Sequence, residues 1–291
     1  MKTKTSSNYK SLFEDGAKFL VESLKFIPQA RFLDGDFGIA LLQEYNGRAE
    51  KDYNNSDALK VLSYDGVVKG SNPFAVVLVN QIIRKQGLRT ATQADLEKIL
   101  KTNAINLRGF YEDSALVLRS EDNPNPYLAN HLLGQAEQKL KMNLKKMPLM
   151  IPLNGLELVN DSNSPYNLAF KLREDAEIIH TPILNKANSD FSSENINEET
   201  GLPRKLGEGN RRLCTRNSGL SRLYLYRYLD LDSSGDDLAD SGGDGRVVVV
   251  SAEGTSQKIL DEYKIEIDNK YQKEITRLTK IKDNAIKALS K

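Results

Sequence analysis

The stretch 223–251, L-Y-L-Y-R-Y-L-D-L-D-S-S-G-D-D-L-A-D-S-G-G-D-G-R-V-V-V-V-S, interleaves two compositions and constrains the fold more than any other part of the chain. Leu223, Leu225, Leu229, Leu231, Leu238 and Ala239 form an apolar set, and nearly every residue between them is Tyr, Asp, Ser or Gly. Those four types make up 15 of the 21 residues from Tyr224 to Asp244. Alternation with period two is that of a half-buried strand, whose successive side chains point to opposite faces. Tyr supplies wide, rigid, amphipathic contact area, Ser and Gly adapt, and Asp offers acceptors, which is the composition of binding loops. The expectation is a recognition surface on a fixed scaffold, with the apolar set buried and the Tyr/Asp set exposed on one contiguous face. The plain alternative is an ordinary half-buried strand followed by an ordinary Asp/Ser/Gly loop.

Charge and composition exclude several other classes. The 291 residues carry 41 basic and 40 acidic side chains, a net charge of +1, which gives no global field for nucleic acid or anionic lipid. The basic run 139–146 reads as the end of a solvated helix, so no nucleic-acid partner is expected. Cys214 is the only cysteine, which rules out an internal disulfide and a multi-cysteine metal site, and His131 and His180 are the only histidines. No metal ligand set, cofactor or catalytic residue is expected. The chain has no phosphate-binding glycine loop, dinucleotide fingerprint, H-E-x-x-H helix or Ser/His/Asp constellation, and it is read as a binding protein that is not an enzyme. No stretch approaches the ~20 apolar residues of a membrane span, and the N-terminus lacks the apolar core of a signal peptide. Cytoplasmic localisation is the default, with surface display also open.

Patterning along the chain predicts an α+β fold in three parts. Residues 1–65 form an N-terminal helical region, with a helix over 12–25, a turn at 34–38, a short helix or strand over 39–45 and a loop over 46–57. Residues 66–255 form the main domain. A strand is expected at 59–64, at the end of the first region, and within the main domain at 114–119, 156–159, 167–172 and 176–184, with a strand passing into a helix over 74–84 and a helix over 127–145. Thr92 with Asp95 three residues on fits a capping box and starts a helix that runs to about residue 101, with Thr90 and Gln93 as a rival register. Residues 256–291 repeat apolar side chains at three- or four-residue steps without Gly or Pro, which predicts a long amphipathic C-terminal helix. That helix reads equally as a coiled-coil or docking arm, able to join copies of the chain into an oligomer, and as one folded back on the domain.

Three segments resemble a known family. The segment 74–84 followed by Gly87-Leu-Arg-Thr-Ala-Thr-Gln-Ala-Asp-Leu-Glu97 resembles the C-type-lectin-like fold as used by formylglycine-generating enzymes, with its R-L-P-T-E-A-E-W-E motif. Ala91 stands where Pro is usual and Leu96 where Trp is usual. Gly245-Arg246-Val247-Val248 resembles the closing G-F-R-V-V strand, without the Phe. The third segment, Gly219-Leu-Ser-Arg-Leu-Tyr-Leu with the alternation after it, is similar to the variable region (about 219–251) of proteins diversified by retroelements, especially archaeal variable proteins. Template adenines are mutated in that family, turning Asn codons into Tyr, Asp, Ser, Gly or Asn. The resemblance implies a ligand-binding surface made of Tyr224, Tyr226, Tyr228, Asp230, Asp232, Ser234, Gly235, Asp237, Asp240 and Gly242. The implied partner is a protein ligand.

Two rival functions accompany this expectation. The first is a calcium-dependent binding module, because Asp230-Leu-Asp232-Ser-Ser234-Gly235-Asp236 matches the start of an EF-hand loop. Ser241 stands at the twelfth position, however, where a bidentate Glu is needed. The second is a structural protein assembled through the C-terminal helix. Enzymes of the formylglycine-generating type work through a pair of cysteines, and Cys214 has no second thiol.

Overall fold

The computed structural model describes residues 30–141, 144 and 147–251, and further on 272, 275–277, 279 and 282. The helix expected over 12–25 lies outside the described residues. A long C-terminal helix over 256–291 is not seen: the six described residues there are helical, and the rest of that segment also lies outside them.

The fold is mixed α+β, built on a curled seven-stranded sheet that forms a half-barrel. Its strands are β5 (Glu112–Leu118), β6 (Leu149–Pro152), β9 (Ile179–His180), β10 (Ser189–Phe191), β11 (Arg211–Cys214), β12 (Leu220–Leu225) and β13 (Leu231–Asp232), in the order β10-β11-β13-β12-β5-β6-β9. All pairings are antiparallel except β11 with β13. A three-stranded sheet places β14 (Val248–Ser251) between β1 (Ala30–Phe32) and β4 (Leu88–Thr90). Two hairpins complete the strands, β2 (Ser63–Tyr64) with β3 (Val68–Lys69) and β7 (Leu156–Asn160) with β8 (Leu168–Leu172).

The interior strand β5, between β12 and β6, is buried along its whole length, because both faces of the sheet are covered. Leu116, Leu118 and Leu220 face one apolar cluster, and Ala115, Val117, Leu223, Leu225 and Leu231 face another. Helix α1 (Gly35–Asp52) packs into the first cluster by Leu41, Tyr45 and Ala49, spaced at four-residue steps on one stripe. The described part of the expected N-terminal region is therefore joined to the rest by β1–β14 pairing and by this packing.

Several expected elements are corrected. The turn at 34–38 and the loop over 46–57 are largely α1, since its polar residues are the solvent side of an amphipathic helix. The strand passing into a helix over 74–84 is helix α2 (Pro73–Ile83) from its start. Asn72 caps it by accepting from the Ala75 amide at 2.8 Å, and Pro73 occupies the first turn, where no N–H is needed. Ten of its 11 residues are buried, so the helix is covered all round and its valine run carries no strand meaning. Most of 59–64 is irregular, and only two residues of 176–184 form a strand. Helix α3 (Gln93–Thr102) begins with the Thr92–Asp95 capping box, each side chain bonding the other's amide. Helix α4 (Pro126–Leu140) ends short of residue 145.

Candidate functional site

The alternating segment is a hairpin and not one continuous strand. Strand β12 ends at Leu225, the chain turns through 226–229, and β13 returns antiparallel with Leu225 opposite Leu231 and Tyr224 opposite Asp232. Hydrogen bonds from the Leu229 amide to the Tyr226 carbonyl and from the Tyr226 amide to the Asp230 carbonyl, both 2.7 Å, close a three-residue loop with Leu229 in the left-handed region at φ 70°. This is the loop type in which a turn is followed by one left-handed residue. Cross-strand partners share a face, so period two survives the reversal and the two residue sets stay apart. Leu223, Leu225, Leu231 and Leu238 are fully buried. Leu229 and Ala239 are only half-buried, contrary to expectation, because one sits in the turn and the other in the loop beyond β13.

The tyrosines form a continuous ladder. Tyr111, Tyr224, Tyr226 and Tyr228 contact one another edge to face, with successive ring centroids 5.8, 6.2 and 5.7 Å apart. Such geometry matches the positive edge of one ring to the negative face of the next. Exposure rises outward: Tyr111 is buried, Tyr224 and Tyr226 half-buried, and Tyr228 66% exposed. Arg222 lies over Tyr111 and Tyr224 at 5.3 and 4.7 Å, and Arg227 lies 5.2 Å from both Tyr226 and Tyr228. Burial, then the charge of Asp232, pushes the Tyr224 phenol above its ordinary range.

At its inner end the ladder rests on buried charge. Arg222 Nε lies 2.9 Å from Asp113 Oδ1, and Asp113 Oδ2 accepts from the Ser71 hydroxyl at 2.6 Å. Burial works against the charge of Arg222, and Asp113 together with Tyr111 and Tyr224 more than offsets it, so its pKa is raised. Beside Asp113, Glu112 is buried with neither carboxyl oxygen hydrogen-bonded. Burial pushes Glu112 well above the ordinary carboxylate range, Asp113 adds to the rise, and Arg246 opposes it.

Residues outside the polar set hold the backbone of the hairpin and of the long loop after it. Asn125 donates to the Asp236 carbonyl (2.7 Å), Asn72 to that of Ala239 (2.9 Å), Arg222 to that of Asp240 (2.6 Å) and Arg216 to that of Ser234 (3.0 Å). The Tyr111 hydroxyl accepts from the Gly242 amide at 2.7 Å. At the turn, the Gly109 amide donates to the Arg227 carbonyl and Arg211 to that of Leu229. Arg211 is held in turn by a bidentate pair with Glu97 at 2.6 and 2.7 Å and lies over Phe191. Arg119, almost fully buried, donates to Ser221, Thr215, Ser233 and the Leu184 carbonyl, tying β5 to β12 and to the start of the loop.

The ten expected binding residues differ in what holds them, with Tyr224 half-buried in the ladder and Ser234 half-buried and bonded to Asp232. Tyr226, Tyr228 and Asp240 present side chains without any structural hydrogen bond among those that hold the hairpin and loop, and Gly242 is exposed. Asp230, Asp232 and Asp237 have local work: Asp230 accepts from the Arg212 amide, Asp232 from the amide and hydroxyl of Ser234, and Asp237 from the Ala239 amide. Gly235 packs on the stems of Arg222 and Tyr224, where a β-carbon would lie 3.3 Å from each. The buried Glu112, Asp113, Arg119, Arg211 and Arg222, with the half-buried Glu97, were not singled out by sequence as supports, and an ionic residue inside an apolar run, as in Leu-Ser-Arg222-Leu, was the only local signal.

Among the described residues, no group of three or more His, Cys, Asp or Glu side chains is placed to hold a metal ion, and no helix is long and apolar enough to cross a membrane. Cys214 is half-buried, and burial together with Asp232 pushes its thiol up, the reverse of what a nucleophile needs. Compared with protein-family models, curated proteins and solved structures, the chain finds no match.

Proposed function

We propose that the chain is a ligand-binding protein whose Tyr/Asp/Ser/Gly face is diversified by a retroelement and carried on a C-type-lectin-like scaffold, as in archaeal variable proteins. One observation carries this reading. The main chain of 226–242 is held largely by side chains from Asn72, Gly109, Tyr111, Asn125, Arg211, Arg216 and Arg222 or their backbone, none of which belongs to the face. Side chains such as Tyr228 and Asp240 can then change while the loop path stays. The separation of the buried Leu223, Leu225, Leu231 and Leu238 from the exposed Tyr228, Asp237, Asp240 and Gly242 supports the same reading, since variation is tolerable only where side chains are solvated; the other six face positions are half-buried.

The scaffold assignment draws support from adjacency. The two segments that carry the lectin-like resemblance, around β4–α3 and around β14, are neighbours in one sheet, with Thr90 opposite Val249 and Arg89 opposite Val250. The direct test is the neighbouring DNA. A near-copy of the codons for 219–251, in which the face positions read as adenine-rich Asn codons, together with a reverse-transcriptase gene, is the expected result. Absence of both in a complete flanking sequence contradicts diversification.

A further inference from the structure

The ladder's outer slot already holds a cation. The Arg227 guanidinium lies 5.2 Å from the centroids of both Tyr226 and Tyr228, inside the ~6 Å range of cation–π attraction, and 3.8 Å from Asp244. Arg222 fills the inner equivalent between Tyr111 and Tyr224, but it is buried and paired with Asp113, whereas the Arg227 side chain is 45% exposed. The inner cation is part of the fold, and the outer one is exchangeable. Asp230, Asp232, Asp236, Asp237, Asp240 and Asp244 leave the hairpin and loop with an excess of carboxylates over the exposed Arg227. Resting on the recognition-face reading above, we propose that the cation position Arg227 occupies against the Tyr226 and Tyr228 rings takes an arginine side chain of a partner protein, for which Arg227 is the internal stand-in.

Physical chemistry favours this occupant. A guanidinium is planar, stacks on aromatic faces and sheds water more readily than an ammonium. The two rings stand 74° to each other and are fixed by the rungs beneath, so a cation meets a site already formed. Displacing Arg227 exchanges like for like and leaves its head in water, with Asp244 free to pair with the incoming group.

The test uses the full-length protein at low salt and a capped heptapeptide of alternating Gly and Arg, with citrulline and Glu versions of the same length, read by calorimetry and by tyrosine-ring NMR shifts. The Arg peptide should shift the Tyr226 and Tyr228 rings, and the citrulline and Glu peptides should not. Arg227→Ser should tighten binding of the Arg peptide, and Tyr228→Ala should weaken it, each by roughly two- to fivefold. Tyr228→Ala should keep the parent's thermal midpoint, so that lost affinity is not lost fold. Equal binding of the citrulline peptide, indifference to Tyr228→Ala, or no binding by either the parent or Arg227→Ser overturns the proposal. If that failure coincides with a template repeat beside the gene, only the arginine-bearing partner is refuted. Absence of the repeat refutes diversification whatever the peptides do.

Discussion

Leu229 is the residue where the face and the framework conflict. Its φ of 70° places a γ-branched side chain in a region that costs a non-glycine residue about 1–2 kcal/mol, while its half-buried side chain packs against the second apolar cluster. Leu229→Gly removes the strain together with part of the packing and is expected to lie within ~1 kcal/mol of the parent. Leu231→Ala and Leu238→Ala, both at fully buried positions, should each cost about 2–5 kcal/mol. Urea unfolding of the three variants checks this, and a loss at Leu229→Gly equal to the other two contradicts it. Glu112 makes a second prediction at this scale. Its carboxyl is raised in the folded state, so the native protein holds that proton more tightly than the unfolded chain, and stability falls as pH rises above the ordinary carboxylate range. The contribution is complete below the unfolded pKa of ~4.3 and lost progressively above it. Glu112→Gln should flatten this decline, gaining in Tm on the parent as pH rises from about 4.5 to about 8. Parallel Tm–pH curves for parent and variant would show that Glu112 is ionised in the fold.

The hairpin and its loop are held mostly from outside, and Arg119 is the clearest instance among the elements. Its five hydrogen bonds all go to neutral acceptors, in a place where burial and the nearby Arg216 work against its charge. Arg119→Met fills the space but removes five buried, charge-assisted hydrogen bonds, each worth about 1 kcal/mol or more, while the Leu184 and Ser233 carbonyls keep the Thr215 and Ser221 hydroxyls as donors. The expected loss is at least ~3 kcal/mol, with faster amide exchange at Ser233 and Cys214; a loss below ~1 kcal/mol would mean that β12 and β13 hold themselves. Elements with local signals were legible in sequence. The Thr92–Asp95 box starts α3, and the strands expected at 114–119, 156–159 and 167–172 are β5, β7 and β8 with ends shifted by one or two residues. The turn at 226–229 was not legible, because it lacks the Gly or Asn that normally marks a left-handed position, and Leu229 continued the alternation through it.

Across the whole molecule, what the sequence displayed was the division of labour within one segment, and what it hid were partners far away along the chain. The tyrosine row follows from period two alone, and a strand reversing on itself preserves it. The supports beneath do not follow: Arg211 meets Glu97 across 114 positions, Arg119 meets Ser221 across 102, and Ser71 meets Asp113 across 42. Such pairs exist only once the sheet has brought β5, β11 and β12 together. Helix α2 was misjudged for a related reason, since its burial on every side is a property of the packed molecule and not of its own valines.

The account stands or falls on the independence of face and scaffold, and thermal midpoints of a library measure that directly. The library carries Tyr, Asn, Ser, Asp or Gly at Tyr226, Tyr228 and Asp240, beside a second library at Asp230, Asp232 and Asp237. At the exposed Tyr228 and Asp240 the first should spread by no more than ~0.5 kcal/mol, and at the half-buried Tyr226 by up to about 1 kcal/mol, since its ring packs edge to face on both neighbours. The second should spread by about 1 kcal/mol more, because its carboxylates bond backbone amides at 2.7–2.9 Å. A first library as destabilised as Leu231→Ala would mean that the tyrosine ladder is core, and the hairpin could not be a face free to vary.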